Sequence, residues 1–424
     1  MKVGFIGLGK LGLPCAAAIS VKNNIEVAGF DIDHKIRGYI KDERVPYVEK
    51  ELDHYLSLAK INFEDSVSAV VEKSDLVFLA IQTPHDAKYE GTCPTPDTRR
   101  DFEYSFLIDV VTEIAKALEN IEKNITIVVI STVLPGTMRT QVLPRLTSVR
   151  DKVNFCYNPF FIAMGQTIQD YLNPEFILIG SDSREESKDL IDFYKKFQTA
   201  PIQQMQIESA ELTKVAYNTF IGFKIVFANA LGEICETLGL GNVDEVTGAL
   251  AIATDRLISG KYLKAGMGDG GGCHPRDQIA MSFLAQKLEL STDPFTWLAI
   301  SRDKQTYRQA ELIQEVSLDS GISRVVIMGE SYKANINLTF GSPSLLLQYY
   351  LKELNVEFSV YDPYTRPNSK PGNIQAVFFV ATNHQSFNQI SYPEGSIVID
   401  PWGNMCNETI QDVSVRIIRP GRNK

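Results

Sequence analysis

Apolar and polar positions along the chain fall into two rhythms. Short apolar runs followed by glycine or proline predict buried strands, and longer stretches with apolar residues three or four apart predict helices. KVGFI (2–6) is the first such strand; GLGKLG (7–12) follows it, and PCAAAIS (14–20) continues as helix. IEVAGFDID then supplies a second strand that leads into Asp31. DLVFLAIQTP (75–84) and ITIVVISTVLPG (125–136) repeat the strand pattern, each breaking into a loop with threonine and proline. Between them HDAKYEGTCPTPDTRRD (85–101) is polar and has no period, so a long loop or lid is expected. From about residue 206 the pattern changes: IESAELTKVAYNTFIGFKIVFANALGEICETLGL lacks proline and predicts one long helix. Leu212, Val215, Ala216, Phe220, Phe223 and Phe227 recur at helical spacing, and Lys214 and Asn218 lie four apart on one face. SRVVIMGES (323–331), VEFSVYDPY (356–364), QAVFFVATNH (375–384) and GSIVIDPWG (395–403) then resume the strand rhythm. The expected fold class is α/β, with two Rossmann-like doubly wound domains joined by a central long-helix region. The expected boundaries are 1–200, 201–305 and 306–424.

The first turn carries chemistry. Gly7, Gly9 and Gly12 occupy the positions of a tight turn, a pyrophosphate approach and a helix-strand contact, with Lys10 and Leu11 between them. Asp31, at the end of the next strand, is placed to bind a ribose hydroxyl and would repel a 2′-phosphate, so the expected cofactor is NAD. Thr83 and Thr132 fall beyond the carboxyl ends of their strands, where they either face the nicotinamide half or close ordinary turns. The composition, 44% apolar and 22% charged over 424 residues, is that of a globular protein. A net charge of -10 without a basic block argues against nucleic acid or an anionic membrane as partner. The apolar N-terminus is interrupted by glycines, so no export signal or membrane span is expected, and the expected location is the cytoplasm. Six cysteines, at 15, 93, 156, 235, 273 and 406, have no paired spacing, so neither disulfides nor a metal site are expected.

One cysteine differs from the rest. In GDGGGCHPRD (268–277) Cys273 follows three glycines, a context in which the backbone bends sharply or approaches a ligand. A thiolate is the nucleophilic form, and a free thiol of pKa about 8.5 needs cationic neighbours to reach it near neutrality. Lys214 and Arg276 are the candidates, and the alternative is a small buried residue packing a bend.

These motifs together resemble the UDP-glucose and GDP-mannose dehydrogenase family, which oxidises a primary alcohol of a nucleotide-sugar to a carboxylate. The resemblance rests on the glycine fingerprint, STVLPG, ELTKVAYNTF, YLKAGMGDGGGCHPRD, GESYK and VYDP in the family's order, over nearly the whole chain. It implies that domain 1–200 binds NAD, that 201–305 carries the cysteine loop and a dimerisation helix, and that 306–424 binds the nucleotide-sugar. Cys273 would attack the aldehyde formed by the first oxidation, and the thiohemiacetal would then be oxidised to a thioester and hydrolysed. Lys214 would stabilise the alkoxide, Asp277 would hold a water or the lysine for proton transfer, and Asn218 and Thr132 would complete the catalytic set. Arg276 joins the cofactor-binding residues. Lys214, Asn218, Tyr262, Leu263, Gly266, Gly268 and Lys333 would contact the substrate, with Arg256 supplied across a homodimer interface.

The sequence also departs from the family's pattern. Where the family has glutamates after YNP, this chain has Phe160 and Met164, neither of which can act as a general base. Arg276 replaces a lysine, and Phe340 replaces an arginine. His274 beside Cys273 is either a base near neutral pH or a surface residue. Three functions follow: complete oxidation of a UDP-glucose-like substrate through Cys273, an altered or incomplete oxidation on the same fold, or a binding protein without turnover. An intact Cys273 argues against the last. A short β-hydroxyacid dehydrogenase would explain only the first half of the chain.

Overall fold

The computed structural model describes residues 1–257, 259–405 and 415–422; Cys406 lies outside the described residues. The chain forms two compact units, Met1–Pro84 with Phe102–Ala216, and His85–Asp101 with Tyr217–Lys424.

The first unit is built on an eight-stranded sheet with the order β3-β2-β1-β4-β5-β6-β7-β8. Its strands are β1 (Val3–Ile6), β2 (Glu26–Phe30), β3 (Lys60–Phe63), β4 (Leu76–Leu79), β5 (Ile125–Val129), β6 (Val153–Tyr157), β7 (Ile177–Gly180) and β8 (Ile202–Met205). Strands β1 to β6 run parallel, whereas β7 pairs antiparallel with β6 and parallel with β8. The sheet therefore reverses direction at its far end, which the sequence pattern does not signal. Strands β1, β4 and β5 are buried at every residue, as strands covered on both faces must be. The core packs Val3, Phe5 and Phe78 against Leu13, Ala16, Ala17 and Ile19 of the helix Gly12–Asn23. Small residues on this helix let it lie close to the sheet, and Phe5 stacks on Phe78 at 4.9 Å.

The second unit holds a five-stranded parallel sheet, β10-β9-β11-β12-β13, formed by β9 (Val325–Met328), β10 (Phe358–Tyr361), β11 (Val377–Val380), β12 (Ile397–Ile399) and β13 (Arg416–Ile418). Helices His274–Lys287, Pro294–Ser320 and Pro343–Glu353 belong to the same unit. The Pro294–Ser320 and Pro343–Glu353 helices both start with proline directly after a cap, Asp293 or Ser342, whose side chain accepts backbone N–H bonds, and this fixes where they begin. The segment 85–101 clusters with this unit although its flanking residues belong to the first.

The long helix spans Ile207–Leu238. Of its regularly spaced apolar residues, Val215 is buried, but Leu212, Phe220 and Phe227 are exposed at 45%, 49% and 51%. The spacing was sound as a helix signal, yet this row does not face the core of the single chain. Among the described residues no helix is long and apolar enough to cross a membrane.

Candidate functional site

In the first unit the glycine turn has the geometry its spacing demands. Gly7 has φ +89°, and a Cβ there would lie 2.5 Å from the carbonyl oxygen of Ala80. A Cβ on Gly12 would meet the Gly7 carbonyl oxygen, so the helix starts where only glycine permits. Gly9 is different: a Cβ there would meet nothing within 4 Å, so this backbone faces open space. Leu11 is the N-cap of the helix Gly12–Asn23 and offers no side-chain cap; within the first turn the Leu13 N–H donates to the Gly9 carbonyl oxygen at 3.1 Å and Pro14 has no N–H. Lys10 is exposed, with its ammonium 5.9 Å from the centre of the Tyr47 ring.

Asp31 follows β2, and its Oδ2 accepts the Leu8 N–H at 2.6 Å while Oδ1 accepts the Asp33 N–H at 2.8 Å. One acid thus ties the end of β2 to the glycine turn. A carboxylate has about four acceptor directions, so these two bonds leave capacity for ribose hydroxyls. Thr83 and Thr132 lie beyond β4 and β5, and the Thr83 hydroxyl donates to the Thr132 carbonyl oxygen at 2.8 Å. Open backbone at Gly9, an uncapped helix start and an acid at the second strand together fit NAD.

Lys214 is buried on the long helix. Its Nζ donates to the Phe160 carbonyl oxygen at 2.8 Å and sits 4.9 Å from the centre of the Phe161 ring. The segment that lacks glutamates therefore still engages the lysine, through a main-chain oxygen and an aromatic face. The Phe160 ring is half-buried and packs on Tyr171 at 5.1 Å, against the core of the unit. Met164 is half-buried.

In the second unit Cys273 is half-buried at the N-cap of the helix His274–Lys287, with no side-chain cap bond of its own. That end of a helix favours negative charge. Its carbonyl oxygen accepts the Asp277 N–H at 2.8 Å, which closes the first turn and fixes cysteine and aspartate one turn apart. Asp277 is fully buried, and its Oδ2 accepts the Asn218 amide at 2.7 Å. Arg276 brings its Nε to 3.5 Å from Oδ1 of Asp277, an ionic contact without hydrogen-bond alignment. Cys273, Asp277, Arg276 and Asn218 are thus brought together within this unit. The His274 ring meets Tyr262 edge-on at 6.4 Å. His85 is held neutral, its pKa lowered to about 3 by burial and then by the charge of Arg276.

The glycine loop before Cys273 is anchored by residues that the motifs do not reveal. Asp269 is fully buried, and Arg302 is 1% exposed. Arg302 Nε donates to the Asp269 carbonyl oxygen at 3.1 Å and lies 2.9 Å from its carboxylate, while a terminal nitrogen donates to the Gly91 carbonyl oxygen at 2.9 Å. The Gln278 amide bonds the other carboxylate oxygen of Asp269. Gly271 has φ +86° and lies against the Tyr332 ring, and the ring of Phe340 closes on Gly272.

The expected substrate contacts are more dispersed. Gly266 donates its N–H to Asn229 at 2.9 Å and lies against Trp402, where a Cβ would come within 2.5 Å of the ring. Gly268 lies against Arg302. Leu263 donates its N–H to the Gly260 carbonyl oxygen at 3.2 Å, and Tyr262 is exposed with φ +65°. Arg256 lies exposed on the short helix Thr254–Leu257. Lys333 sits in the turn after β9, where its carbonyl oxygen accepts the Ser331 hydroxyl at 2.9 Å. That turn is organised by Asp362, which accepts N–H bonds from Glu330, Ser331, Tyr364 and Thr365 and approaches the buried His384 at 3.3 Å. Among the described residues no group of three acidic, histidine or cysteine side chains could hold a metal ion.

Residues 1–198 match the UDP-glucose/GDP-mannose dehydrogenase family, NAD binding domain, and residues 208–301 match the same family's central domain. A UDP-glucose 6-dehydrogenase of Rickettsia conorii is 25% identical over 99% of both chains. A GDP-mannose 6-dehydrogenase of Azotobacter vinelandii is 28% identical, over 85% of this chain and 81% of its own. The solved structure of a UDP-glucose dehydrogenase from Pyrobaculum islandicum shares the fold, with a TM-score of 0.84 at 22% identity over 100% of this chain and 98% of that one. The chain belongs to the UDP-glucose/GDP-mannose dehydrogenase family and is an NAD-dependent nucleotide-sugar dehydrogenase acting on a CH–OH group.

Proposed function

We propose that the enzyme oxidises the C6 primary alcohol of a UDP-glucose-like nucleotide-sugar to the uronic acid through a covalent intermediate on Cys273. The observation that carries this reading is the Cys273 thiol at a helix start, one turn from a buried Asp277 that the Asn218 amide holds. Bound NAD accepts the hydrides. In the first oxidation Lys214 stabilises the alkoxide as the C6 hydroxyl loses its proton, and the product is an aldehyde. The Cys273 sulfur then adds to the aldehyde carbon, and the carbonyl oxygen takes up the proton to give a thiohemiacetal. Loss of a second hydride and of the hydroxyl proton leaves a thioester. Water attacks its carbonyl carbon, the carbon–sulfur bond breaks, and Asp277 or a group it orients receives the proton. The balance is one alcohol, two NAD+ and one water giving one carboxylate, two NADH and three protons.

Thr132 and Thr83 would face the nicotinamide, with Gly7, Gly9, Lys10, Leu11, Gly12, Asp31 and Arg276 completing the cofactor contacts. The YLKAGMG loop, Asn218, Arg256 and Lys333 would hold the nucleotide-sugar. A homodimer is part of the proposal: Phe220, Phe227 and Ile234, seven residues apart, are about half exposed on the long helix. Such an apolar row is characteristic of a protein interface. The proposed setting is the cytoplasm, where Cys273 stays reduced.

A second reading has its own observation. Lys214 is held by a main-chain oxygen and the Phe161 ring, and no carboxylate stands at 160 or 164. An enzyme so arranged would release an aldehyde or act on a different sugar. The test counts NADH formed per UDP-glucose consumed and identifies the product by mass. Two NADH and a uronic acid support the full oxidation, whereas one NADH and an aldehyde support the second reading. Cys273→Ser is expected to abolish acid formation while leaving NAD binding intact, and undiminished acid from that variant overturns the covalent mechanism.

A further inference from the structure

Glu211 is a buried acid that the reaction scheme does not use. It lies on the long helix, three residues before Lys214, and is fully buried in the first unit. Its two oxygens accept backbone N–H bonds from Gly136 at 2.6 Å and Met138 at 2.7 Å. These groups belong to the turn that continues from Thr132, and the rest of that turn is pinned as well. Leu134 donates its N–H to the Tyr104 hydroxyl at 3.1 Å, the Thr137 hydroxyl donates to the Leu134 carbonyl oxygen at 2.7 Å, and the Ser131 hydroxyl donates to the Ile81 carbonyl oxygen at 2.6 Å. Gly136 has φ +89°, so the chain reverses there in a conformation that side chains resist. A carboxylate is the one side chain that can accept both converging N–H groups without a proton in the way.

We propose that Glu211 is a positioning residue of the dehydrogenase: its carboxylate fixes the turn beyond Thr132 to the helix that presents Lys214, and thereby sets the affinity for NAD. This rests on the reading above that Thr132 faces the nicotinamide and Lys214 the substrate. The surrounding charges leave this carboxylate to its backbone partners. Glu208, one turn earlier, is bonded by Arg139 at 2.9 Å, and Arg139 also pairs with Asp182 at 2.6 Å. Arg150 lies 4.0 Å from Asp182 and pairs with Glu186. Burial pushes the Glu211 carboxyl up to about 7; the two backbone bonds oppose the rise, Glu208 adds to it and Arg139 reduces it. Protonation makes one of the two oxygens a neutral hydroxyl, a poorer acceptor than a carboxylate oxygen, so the backbone bond it receives weakens. The turn then loosens as pH falls through that value.

The experiment is NAD binding to the full chain, followed by fluorescence between pH 6 and 8.5 in the absence of sugar. The parent is expected to bind NAD about tenfold more weakly at pH 6 than at pH 8.5, the cost of one hydrogen bond to a charged acceptor. Glu211→Gln places an NH2 group against one backbone donor, and is expected to bind about tenfold more weakly at pH 8.5 and to lose the pH dependence. A variant with the parent's affinity and pH profile overturns the proposal. Should Glu211→Gln fail to melt cooperatively, hydrogen exchange at the Gly136 and Met138 amides of the parent decides. Protection that falls below pH 7 supports the coupling, and protection independent of pH overturns it. Both readouts are made without turnover, so they remain decisive if acid formation through Cys273 fails its own test.

Discussion

Replacing Arg302 by methionine is expected to be among the most damaging single changes in the second unit. The side chain is 1% exposed and faces a carboxylate, Asp269, that is fully buried. Methionine fills most of the space but leaves Asp269 with the Gln278 amide as its remaining side-chain partner among the described contacts, and removes the donor to the Gly91 carbonyl oxygen. Breaking a buried ion pair by deleting one partner costs about 3–5 kcal/mol. At about 4 kcal/mol the ratio of folded to unfolded protein falls roughly a thousandfold. Arg302→Lys keeps the charge but cannot reach the Asp269 carbonyl, its carboxylate and Gly91 at once, so it should recover only part of the loss. Urea unfolding of the full chain, followed by a probe in the second unit, gives the magnitude. Adding Asp269→Asn to Arg302→Met removes one of the two stranded charges, the other being Asp303 at 3.4 Å from the guanidinium, and the cycle should show a coupling above about 1 kcal/mol. Single and double variants whose effects simply add, or an Arg302→Met protein within about 1 kcal/mol of the parent, would refute the assignment of Arg302 as the anchor of the cysteine loop.

Three further outcomes follow from the same geometry. With no carboxylate at 160 or 164 to assist water, the thioester should accumulate, so intact mass spectrometry of enzyme quenched during turnover is expected to show an acyl adduct on Cys273; a thiol that stays unmodified throughout contradicts this. Met164→Glu should diminish that adduct by speeding hydrolysis, and an adduct of unchanged size would show that position 164 does not face it. Asp362 concerns stability rather than turnover. Burial alone would raise its carboxyl, but the His384 contact and the N–H bonds of Glu330, Ser331 and Thr365 outweigh burial and hold it below the usual range. A depressed acid contributes its full stability above its unfolded pKa of about 3.9, and the contribution is lost progressively as pH falls from there through the lower folded value. Asp362→Asn should therefore lower the melting temperature at pH 7, and its gap to the parent should begin to narrow below about pH 3.9; a gap that does not narrow between pH 5 and pH 3 would assign the effect to shape instead of charge.

Which parts of this architecture could be read in advance depended on how completely they are buried. Strands β1, β4, β5, β9, β11 and β12 announce themselves because strands covered on both faces are nearly continuous apolar runs. Strand β3 (KINF) alternates exposed and half-buried residues at a sheet edge, and β8 (IQQM) carries two glutamines, so neither stands out from loop sequence. The reversal at β7 depends on pairing between distant segments and has no local signature. The glycine turn, Asp31 and Cys273 stand out in the sequence through their glycine spacing and strand context, whereas Asp277 is singled out by the family resemblance. Asp269, Arg302 and Glu211 were not legible: charged residues are normally solvated, and only the partners that fold around them reveal that they are buried. At Phe160 the contact with Lys214 could not be read from side-chain identity, since Lys214 bonds its main-chain oxygen, which any residue would supply.

The segment 85–101 has a consequence for how the protein is made. It leaves the first unit at Pro84 and returns at Phe102, yet its anchors in the second unit are Arg302, which binds the Gly91 carbonyl oxygen 211 residues away, and Asp303, which binds the Thr95 N–H 208 residues away. A ribosome adding about 5–20 residues per second takes roughly 10–40 s to cover that distance. Throughout that interval the nascent first unit carries a tethered polar loop whose docking partners do not yet exist. Its sheet can assemble before release, but the wall of the cysteine loop closes only after Arg302 and Asp303 have emerged.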